Sequence, residues 1–397
     1  MKYRLAYLAF LILPLLMQTC SDDITSLQKD TFIKLYGSYL NDAGKDVKSL
    51  PGGGYALTGS IVPDSVSRMV LIRTDEAGNQ VDGSPSYYGG PYKTGGNCLL
   101  LLEDGFLIGG FLQDTIDGEF QNDMFLVRTD AAGQEIWTRR YGNTENDEVF
   151  HITKRSSGGF VLAGKKTTNE DEDVWILMVD EDGNELHEFI GSAFDDDDEA
   201  NFLLRTPDGY LCGCTYDEGA YEGTDFFVAS LDENCNIVDS KTMGTEEDDF
   251  VRAIVRFNDE YLLMGYTENS VSGIREVSLY TFSMDRQLIK EVEKLATISS
   301  PGVDLKGEDC VINSKGEIVV FGTRVLNENN DMWLIRLDSA GNTINDANNP
   351  VIFGELGSQQ GWALDRTYDG GLILTGTNSL EGNSLITLIK TNALGGL

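Results

Sequence analysis

The chain repeats one short pattern seven times, at intervals of 50 to 57 residues. Each copy starts with an aromatic or aliphatic residue, continues with alternating apolar positions and has a small residue four places further on. The copies start at Tyr55, Phe106, Phe160, Tyr210, Tyr261, Ile318 and Leu372. By length alone, 397 residues would suggest two or three domains. A regular repeat instead predicts one array of stacked units.

A second pattern, Asp-x-x-Gly, follows the first in most units. It starts at Asp75, Asp130, Asp180 and Asp338; Asp232 and Asp285 hold the same place without the Gly, and Asn392 replaces the Asp in the last unit. An Asp side chain accepts backbone N–H groups of a turn, and Gly allows the positive φ that such turns need. The recurring Asp is therefore predicted to be structural and not a catalytic carboxylate.

Each unit contains four short segments that are typical of β-strands. In the third unit they are Glu148–Arg155, Phe160–Lys165, Val174–Val179 and Glu185–Ile190. They are bounded by Gly, Asp, Asn or Ser, and no segment has a sustained helical period. Four strands per unit at this period predict an all-β fold, a β-propeller of four-stranded blades.

The two ends of the array predict how the ring closes. An apolar residue followed by Gly ends most units, and its first copy, Tyr36-Gly37, precedes any complete unit, whereas the last unit stops without it. The segment Ile33–Tyr36 is therefore expected to complete the last of seven blades, leaving no open sheet edge. Deleting residues 21–40 should then destabilise the whole body. The predicted propeller comprises residues 32–397.

The repeats resemble a known group of proteins. The segments Gly158–Gly164 and Asp180–Asn184 are similar to the β-propeller repeats of Bacteroidetes surface lipoproteins and to delta-60-type repeats. The resemblance covers nearly all of residues 32–397. It implies the fold strongly and the function weakly, because such families include many binding or accessory proteins and no catalytic motif comes with them.

The N-terminus has the features of an export signal. Lys2 and Arg4 precede the apolar run Leu5–Met17, which is too short to cross a bilayer and fits a signal peptide. Cys20 at its end resembles the lipobox of bacterial lipoproteins, although residues 18 and 19 depart from the usual small residues. The resemblance implies a lipid anchor on Cys20, a tether over residues 21–31 and a place on the outer-membrane surface, with the membrane contacted through the anchor alone. The alternative is an ordinary signal peptide with a chance Cys.

Charge limits the range of partners. The chain has 30 Lys and Arg against 65 Asp and Glu, a net charge of −35. This excludes nucleic acid as an expected partner, because phosphates need a basic surface. Solubility explains the charge most simply, and binding of a cation or a basic partner is the alternative. No cofactor is expected. In the acidic run 195–199, Asp195, Asp197 and Asp198 are weak candidates for Ca²⁺, with solvated loop carboxylates as the preferred interpretation.

The remaining cysteines have no metal-binding spacing. Cys212 and Cys214 are two apart in a predicted strand and should point to one face. We interpret them, together with Cys98, Cys235 and Cys310, as small apolar core residues. A disulfide in an exported protein stays an open alternative.

The predicted loops differ between the two faces of the propeller. If strands a to d run outward from the axis, the a–b and c–d turns are tight, while the b–c and d–a loops on the other face are longer. The predicted b–c loops include Phe111–Asp123, Thr215–Asp225 and Tyr266–Arg275. Long loops on a rigid frame usually carry binding. The candidate ligand-face residues are Tyr92, Phe120, Tyr216, Tyr221 and Tyr266.

Two classes of function fit a propeller with a loop-rich face. The first is a non-catalytic binding or scaffold protein for a glycan or protein, which includes a subunit of an outer-membrane uptake complex. The alternative is a glycan-active hydrolase or lyase with a site in the central channel, since a pair of carboxylates can suffice for hydrolysis. A binder should have an aromatic-lined surface, and an enzyme should have a central pocket with carboxylates of raised pKa. No catalytic residue is assigned.

Overall fold

A computed structural model describes residues 31–116, 119–142, 145–168, 171–191, 198–216, 223–347, 349–354 and 357–397. These residues form seven four-stranded antiparallel sheets. In chain order, the strands before the fourth blade are β1 (Phe32–Tyr36), β2 (Ala43–Ser49), β3 (Tyr55–Ile61), β4 (Arg68–Thr74), β5 (Ser86–Tyr88), β6 (Lys93–Leu102), β7 (Gly105–Ile116), β8 (Glu119–Asp130), β9 (Glu135–Tyr141), β10 (Asp147–Lys154), β11 (Phe160–Thr168), β12 (Asp171–Val179) and β13 (Glu185–Gly191).

The remaining blades follow the same order. Their strands are β14 (Glu199–Thr206), β15 (Gly209–Tyr216), β16 (Asp225–Leu231), β17 (Ile237–Met243), β18 (Asp248–Phe257), β19 (Glu260–Glu268), β20 (Arg275–Asp285), β21 (Leu288–Ile298), β22 (Asp304–Ile312), β23 (Ile318–Leu326), β24 (Asn329–Leu337), β25 (Val351–Phe353), β26 (Ser358–Arg366), β27 (Leu372–Leu380) and β28 (Asn383–Thr391). The seven-bladed propeller predicted from the repeats is confirmed.

The ring closes through its first strand. β1 pairs antiparallel with β28, from Phe32 opposite Lys390 to Tyr36 opposite Ile386, so the last blade has the order β1-β28-β27-β26. Because β1 is the outermost strand of the seventh blade, the first and last described strands are held in one sheet. The closing strand predicted at Ile33–Tyr36 is therefore present.

The recurring Asp residues are turn residues, as predicted. The Oδ1 atom of Asp75 accepts the backbone N–H of Asn79 at 2.8 Å, and Asp180, Asp232 and Asp338 make the equivalent bond. Cys235 replaces the usual Gly in its turn and has a φ of +62°. This turn therefore keeps the left-handed backbone without a Gly, whereas in the fifth blade Asp285 ends β20 and the positive φ of +58° is at Arg286, so the prediction does not hold for Asp285.

The hydrophobic core lies between neighbouring blades and not inside any single sheet. One cluster joins Met264 and Val277 of the fifth blade to Trp333 and Ile335 of the sixth, and similar clusters occupy the other interfaces. The five cysteines predicted to be apolar core residues are buried and free. Cys212 and Cys214 do point to one face, with their Sγ atoms 3.5 Å apart.

The innermost strands are β2, β6, β10, β14, β18, β22 and β26, and they contact one another in a ring around the axis. Each of them has a β-bulge, an extra residue that has no opposite partner in the ladder. The bulged residues are Lys45, Asn97, Phe150, Asn201, Arg252, Glu308 and Trp362. The bulges lie at one level of the propeller and line its central channel. In the part of the chain that the structure describes, no helix is long and apolar enough to cross a membrane.

Candidate functional site at the mouth of the central channel

Two of the predicted ligand-face aromatics are exposed on the loop-rich face. Tyr92 lies between β5 and β6 and is 41% exposed, and Phe120 lies beside the β7–β8 connection and is 72% exposed. Tyr216 ends β15 and packs against Phe227, with the ring centroids 4.8 Å apart. Tyr221 lies outside the described residues. The face thus presents exposed aromatic rings near its rim.

Tyr266 is not in a loop, and this part of the prediction was wrong. The side chain is 5% exposed and belongs to β19, which continues to Glu268 before the chain turns. The segment Phe111–Asp123 likewise forms the ends of the paired strands β7 and β8 around a short connection. In both places the β-ladder extends past the blade body because polar residues pair across it, and a polar sequence was mistaken for a loop.

The acidic loop candidates for a metal have a structural role where they are described. Asp195 and Asp197 lie outside the described residues, and Asp198 is buried. Buried carboxylates at the equivalent place in other blades accept backbone N–H groups, from Thr167 to Asp147 and from Thr245 to Asp249. Within the described segments, no group of three or more His, Cys, Asp or Glu residues is placed to hold a metal ion.

The bulged residues bring a cluster of charge together at the mouth of the channel, on the loop-rich side. We call Lys45, Arg252, Lys306, Tyr266 and Trp362 the cationic wall; they come from blades 1, 5, 6, 5 and 7. Arg252 donates from Nη2 to the Tyr266 hydroxyl at 3.1 Å, and Lys306 Nζ lies 5.3 Å from the Tyr266 ring centroid. Three cations therefore surround two aromatic side chains.

Glu308 partly neutralises this wall. Its Oε1 lies 2.9 Å from Lys306 Nζ, and its Oε2 lies 3.4 Å from Arg252 Nε. One carboxylate therefore balances two of the cations. Lys45 is left over.

Lys45 is the least compensated charge of the cluster. Its Nζ lies 3.1 Å from the Trp362 ring centroid, and among the described residues it makes no hydrogen bond or ion pair. Burial lowers the pKa of Lys45 to about 8; Glu308 opposes the shift, and the charges of Lys306 and Arg252 add to it. Trp362 Nε1 is also buried, and the described residues offer it no acceptor. Two donors at the mouth thus lack partners.

The opposite side of the mouth is acidic. We call Glu148, Glu199, Asn97 and Asn122 the acidic wall; Asn122 donates to Glu148 Oε1 at 3.0 Å and Asn97 to Oε2 at 3.4 Å. Burial raises the pKa of Glu148, against the opposing effects of Lys165 and the two amides. Lys165 does not neutralise Glu148 fully, because its Nζ lies 2.6 Å from Glu172 and 3.5 Å from Glu199. The mouth therefore has a positively charged side and a negatively charged side.

A second charged group lies deeper in the channel. We call Lys48, Asp46, Asp309 and Asp365 the lower cluster. Asp46 pairs with Lys48 Nζ at 2.8 Å and accepts the N–H of Leu99, from the next blade, at 2.8 Å. Asp309 accepts the N–H of Leu364 in the same way, and Asp365 that of Ser49. These carboxylates join neighbouring blades and use their acceptors on the backbone.

Reasoning from the sequence missed every residue of the cationic wall except Tyr266. A signal was present: each bulged residue lies nine or ten residues before the first residue of the repeat pattern in its own blade. Aligning the repeats at that residue would have placed Lys45 and Trp362 at one position and Arg252 at the next. The position was overlooked because its residue type differs between most blades, Asn97 and Asn201 being the one repeated type.

Comparisons with known proteins support the fold and nothing finer. No protein-family model matches the chain, and no curated protein matches it. Among solved structures, the periplasmic gluconolactonase PpgL of Pseudomonas aeruginosa is 13% identical with a TM-score of 0.52, over 87% of this chain and 94% of that one. A chain of the Drosophila Plexin A complex with Semaphorin 1b is 8% identical with a TM-score of 0.52, over 90% and 87%. One neighbour is an enzyme and the other belongs to a protein–protein complex, so this chain shares a propeller frame that serves both kinds of function.

Proposed function

We propose that this protein is a lipid-anchored, surface-exposed binding protein that takes a glycan or protein partner on the loop-rich face of its propeller. The observation that carries the proposal is the mouth of the channel, where the Lys45 ammonium and Trp362 Nε1 are left without acceptors among the described residues. Lys45 is partly buried and Trp362 Nε1 is fully buried, and a donor that is removed from water without an acceptor costs stability. Such an arrangement is typical of a site whose partner groups arrive with a ligand.

The rim of the same face supports this proposal. Tyr92 and Phe120 expose much of their rings on the side where the b–c and d–a connections lie. Exposed aromatic side chains are enriched in binding surfaces, because they bury a large apolar area at a small entropic cost. A partner covering the mouth would reach them.

The proposed location rests on the N-terminus. The signal-like run Leu5–Met17 ends at Cys20, and Asp22 and Asp23 follow it. Mass spectrometry of the N-terminal peptide from membranes should find Cys20 acylated, and protease added to intact cells should digest the protein. An unmodified mature N-terminus released into the medium would contradict this part of the proposal.

A glycan-active hydrolase or lyase is the second candidate, and Glu148 favours it. A carboxyl group of raised pKa beside a channel can act as a general acid. Ligands that bind should therefore be incubated with the protein and assayed for new reducing ends and for the absorbance of unsaturated products. Turnover that Glu148→Gln abolishes would replace the binding proposal by this one.

The binding proposal is tested with the full chain purified in detergent, on a glycan array and in pull-downs. Tyr92→Ala and Phe120→Ala should each weaken the signal of a validated partner. Tyr368→Ala is the matched control, because Tyr368 is 71% exposed but lies in the turn between β26 and β27, on the opposite face. Binding that depends on Tyr368 and not on the other two residues would place the ligand on the wrong face.

A further inference from the structure

We infer that the mouth of the channel binds a carboxylate-bearing sugar of an acidic glycan, with the carboxylate against Lys45 and Trp362 Nε1. The inference rests on the proposed binding function and names its ligand class. The cationic wall offers hydrogen-bond donors and the acidic wall offers hydrogen-bond acceptors.

The donors of the cationic wall converge from four blades. Lys45 enters from the first blade, Arg252 from the fifth, Lys306 from the sixth and Trp362 from the seventh, three of them at bulges. With Glu308 counted, this wall has a net charge of +2. A carboxylate placed beside Lys45 would accept charge-assisted hydrogen bonds, which are the strong ones.

The acidic wall selects against a simple anion. Glu148 and Glu199 repel a second negative group, but they and the nearby amides accept hydrogen bonds from hydroxyls. A sugar acid has this polarity in one ring, with a carboxylate at one position and hydroxyl donors at the others. Inorganic phosphate carries only one or two hydroxyl donors near neutral pH and no ring, so it offers the second wall fewer donors than a sugar acid does.

The net charge of the protein and the local charge at the mouth have opposite signs. A net charge of −35 repels anions at long range, yet three of the 30 basic residues meet at the mouth. A cationic wall inside an acidic protein attracts an anionic group at short range, where the local charges outweigh the net charge. Acidic peptides have carboxylates too, but lack the ring of hydroxyls that the acidic wall would bind.

The experiment measures binding to the full chain by calorimetry and by the fluorescence of its tryptophans. The acidic probes are trigalacturonate and a hyaluronan tetrasaccharide, the neutral probes are galactotriose and fully N-acetylated chitotetraose, and the remaining probes are triglutamate and inorganic phosphate. At least one acidic saccharide should bind more tightly than every other probe. Equal binding of neutral and acidic saccharides would overturn the inference, as would preference for triglutamate or phosphate, or no binding of either acidic saccharide.

Variants then locate the site. Lys45→Met should weaken binding of the acidic saccharide about 10-fold or more, since a charge-assisted bond is lost. Trp362→Phe should have a smaller effect, because the ring stays and the Nε1 donor goes. Lys315→Met is the matched control, as Lys315 is exposed in the turn between β22 and β23 on the opposite face, and it should leave binding unchanged. An unchanged affinity in Lys45→Met overturns the inference.

Different results would contradict the binding function and the assignment of an acidic glycan as its ligand. If partners on the array or in the pull-down bind through the rim aromatics but ignore Lys45, the ligand assignment is wrong and the binding function stands. If no glycan and no protein binds, the binding function itself is wrong.

Discussion

The upper and lower parts of the central channel each hold a lysine on β2, and the two lysines lie three residues apart. Lys48 in the lower cluster pairs with Asp46, and Asp309 and Asp365 add further negative charge. Lys45 at the mouth has an aromatic ring beside it and no anion bound to it. Burial acts to lower the pKa of both ammonium groups, but the carboxylates reverse the shift at Lys48, whereas the pKa of Lys45 falls to about 8.

The lower cluster has a structural role, because its carboxylates bond the backbone of neighbouring blades. The lower cluster has a strongly shifted group of its own, since burial raises the pKa of Asp309 to about 7 against the two backbone N–H groups that it accepts. A shifted pKa and deep burial are therefore present in both places. What the mouth has in addition, among the described residues, is the Lys45 ammonium and Trp362 Nε1 without acceptors, and the proposed ligand would supply them.

The largest expected effect is the loss of Asp46 from the lower cluster. Asp46→Ala removes the acceptor of Leu99 N–H in the next blade and leaves Lys48 without its direct partner. Breaking a buried pair on one side, with an amide left unpaired, should lower the free energy of unfolding by about 3 kcal/mol. Urea denaturation measures it. The control Asp64→Ala removes an exposed ion pair with Arg68 and should change stability by less than about 0.5 kcal/mol; equal losses in the two variants would contradict the structural role.

Lys48→Met tests the same cluster from the other side. Removing the cation leaves three carboxylates close together, so the free energy of unfolding should fall at pH 7. We expect a loss of about 1–2 kcal/mol, reduced from the value for a fully buried pair because a third of the Lys48 side chain is exposed to solvent. A stability equal to or above that of the wild type would show that the lower cluster does not depend on this charge.

The same substitution at Lys45 should act in the opposite direction. Lys45→Met replaces a partly buried ammonium group, which binds no anion among the described residues, by an apolar side chain of similar length. The free energy of unfolding should rise by about 1 kcal/mol, less than full burial would give because the ammonium group is partly exposed to solvent, while binding of the ligand weakens. A residue that costs stability and supports binding is the expected signature of a site. If Lys45→Met destabilises the fold as Lys48→Met does, the contrast between the two parts of the channel disappears.

The frame could be predicted from the sequence and the site could not, for one physical reason. Turns such as Asp180–Asn184 and the closing strand at Tyr36 recur because every blade must solve the same packing problem, so repetition reveals them. Lys45 and Trp362 share a position but no residue type, because packing between blades does not fix the side chain at the bulge, so repetition does not reveal it. Tyr266 was found as an aromatic residue and placed in a loop, since its polar neighbours concealed the end of β19.

The smallest expected effect is the pH dependence of the stability contrast at Lys45. The pKa of this group is lowered in the folded protein to about 8, from 10.5 when unfolded. Between these values the unfolded chain binds a proton that the folded chain does not, so the stability of the wild type rises with pH across that window. Below pH 8 the charged Lys45 side chain destabilises the folded wild type to its full extent.

The advantage of Lys45→Met, of about 1 kcal/mol at pH 7, should therefore shrink between pH 8 and pH 10. Glu308, Lys306, Arg252 and Glu148 face Lys45 in both proteins, so the difference between the two urea midpoints isolates the one group. An advantage that stays constant to pH 10 would mean that Lys45 keeps its proton, and that an acceptor from within the protein already serves it.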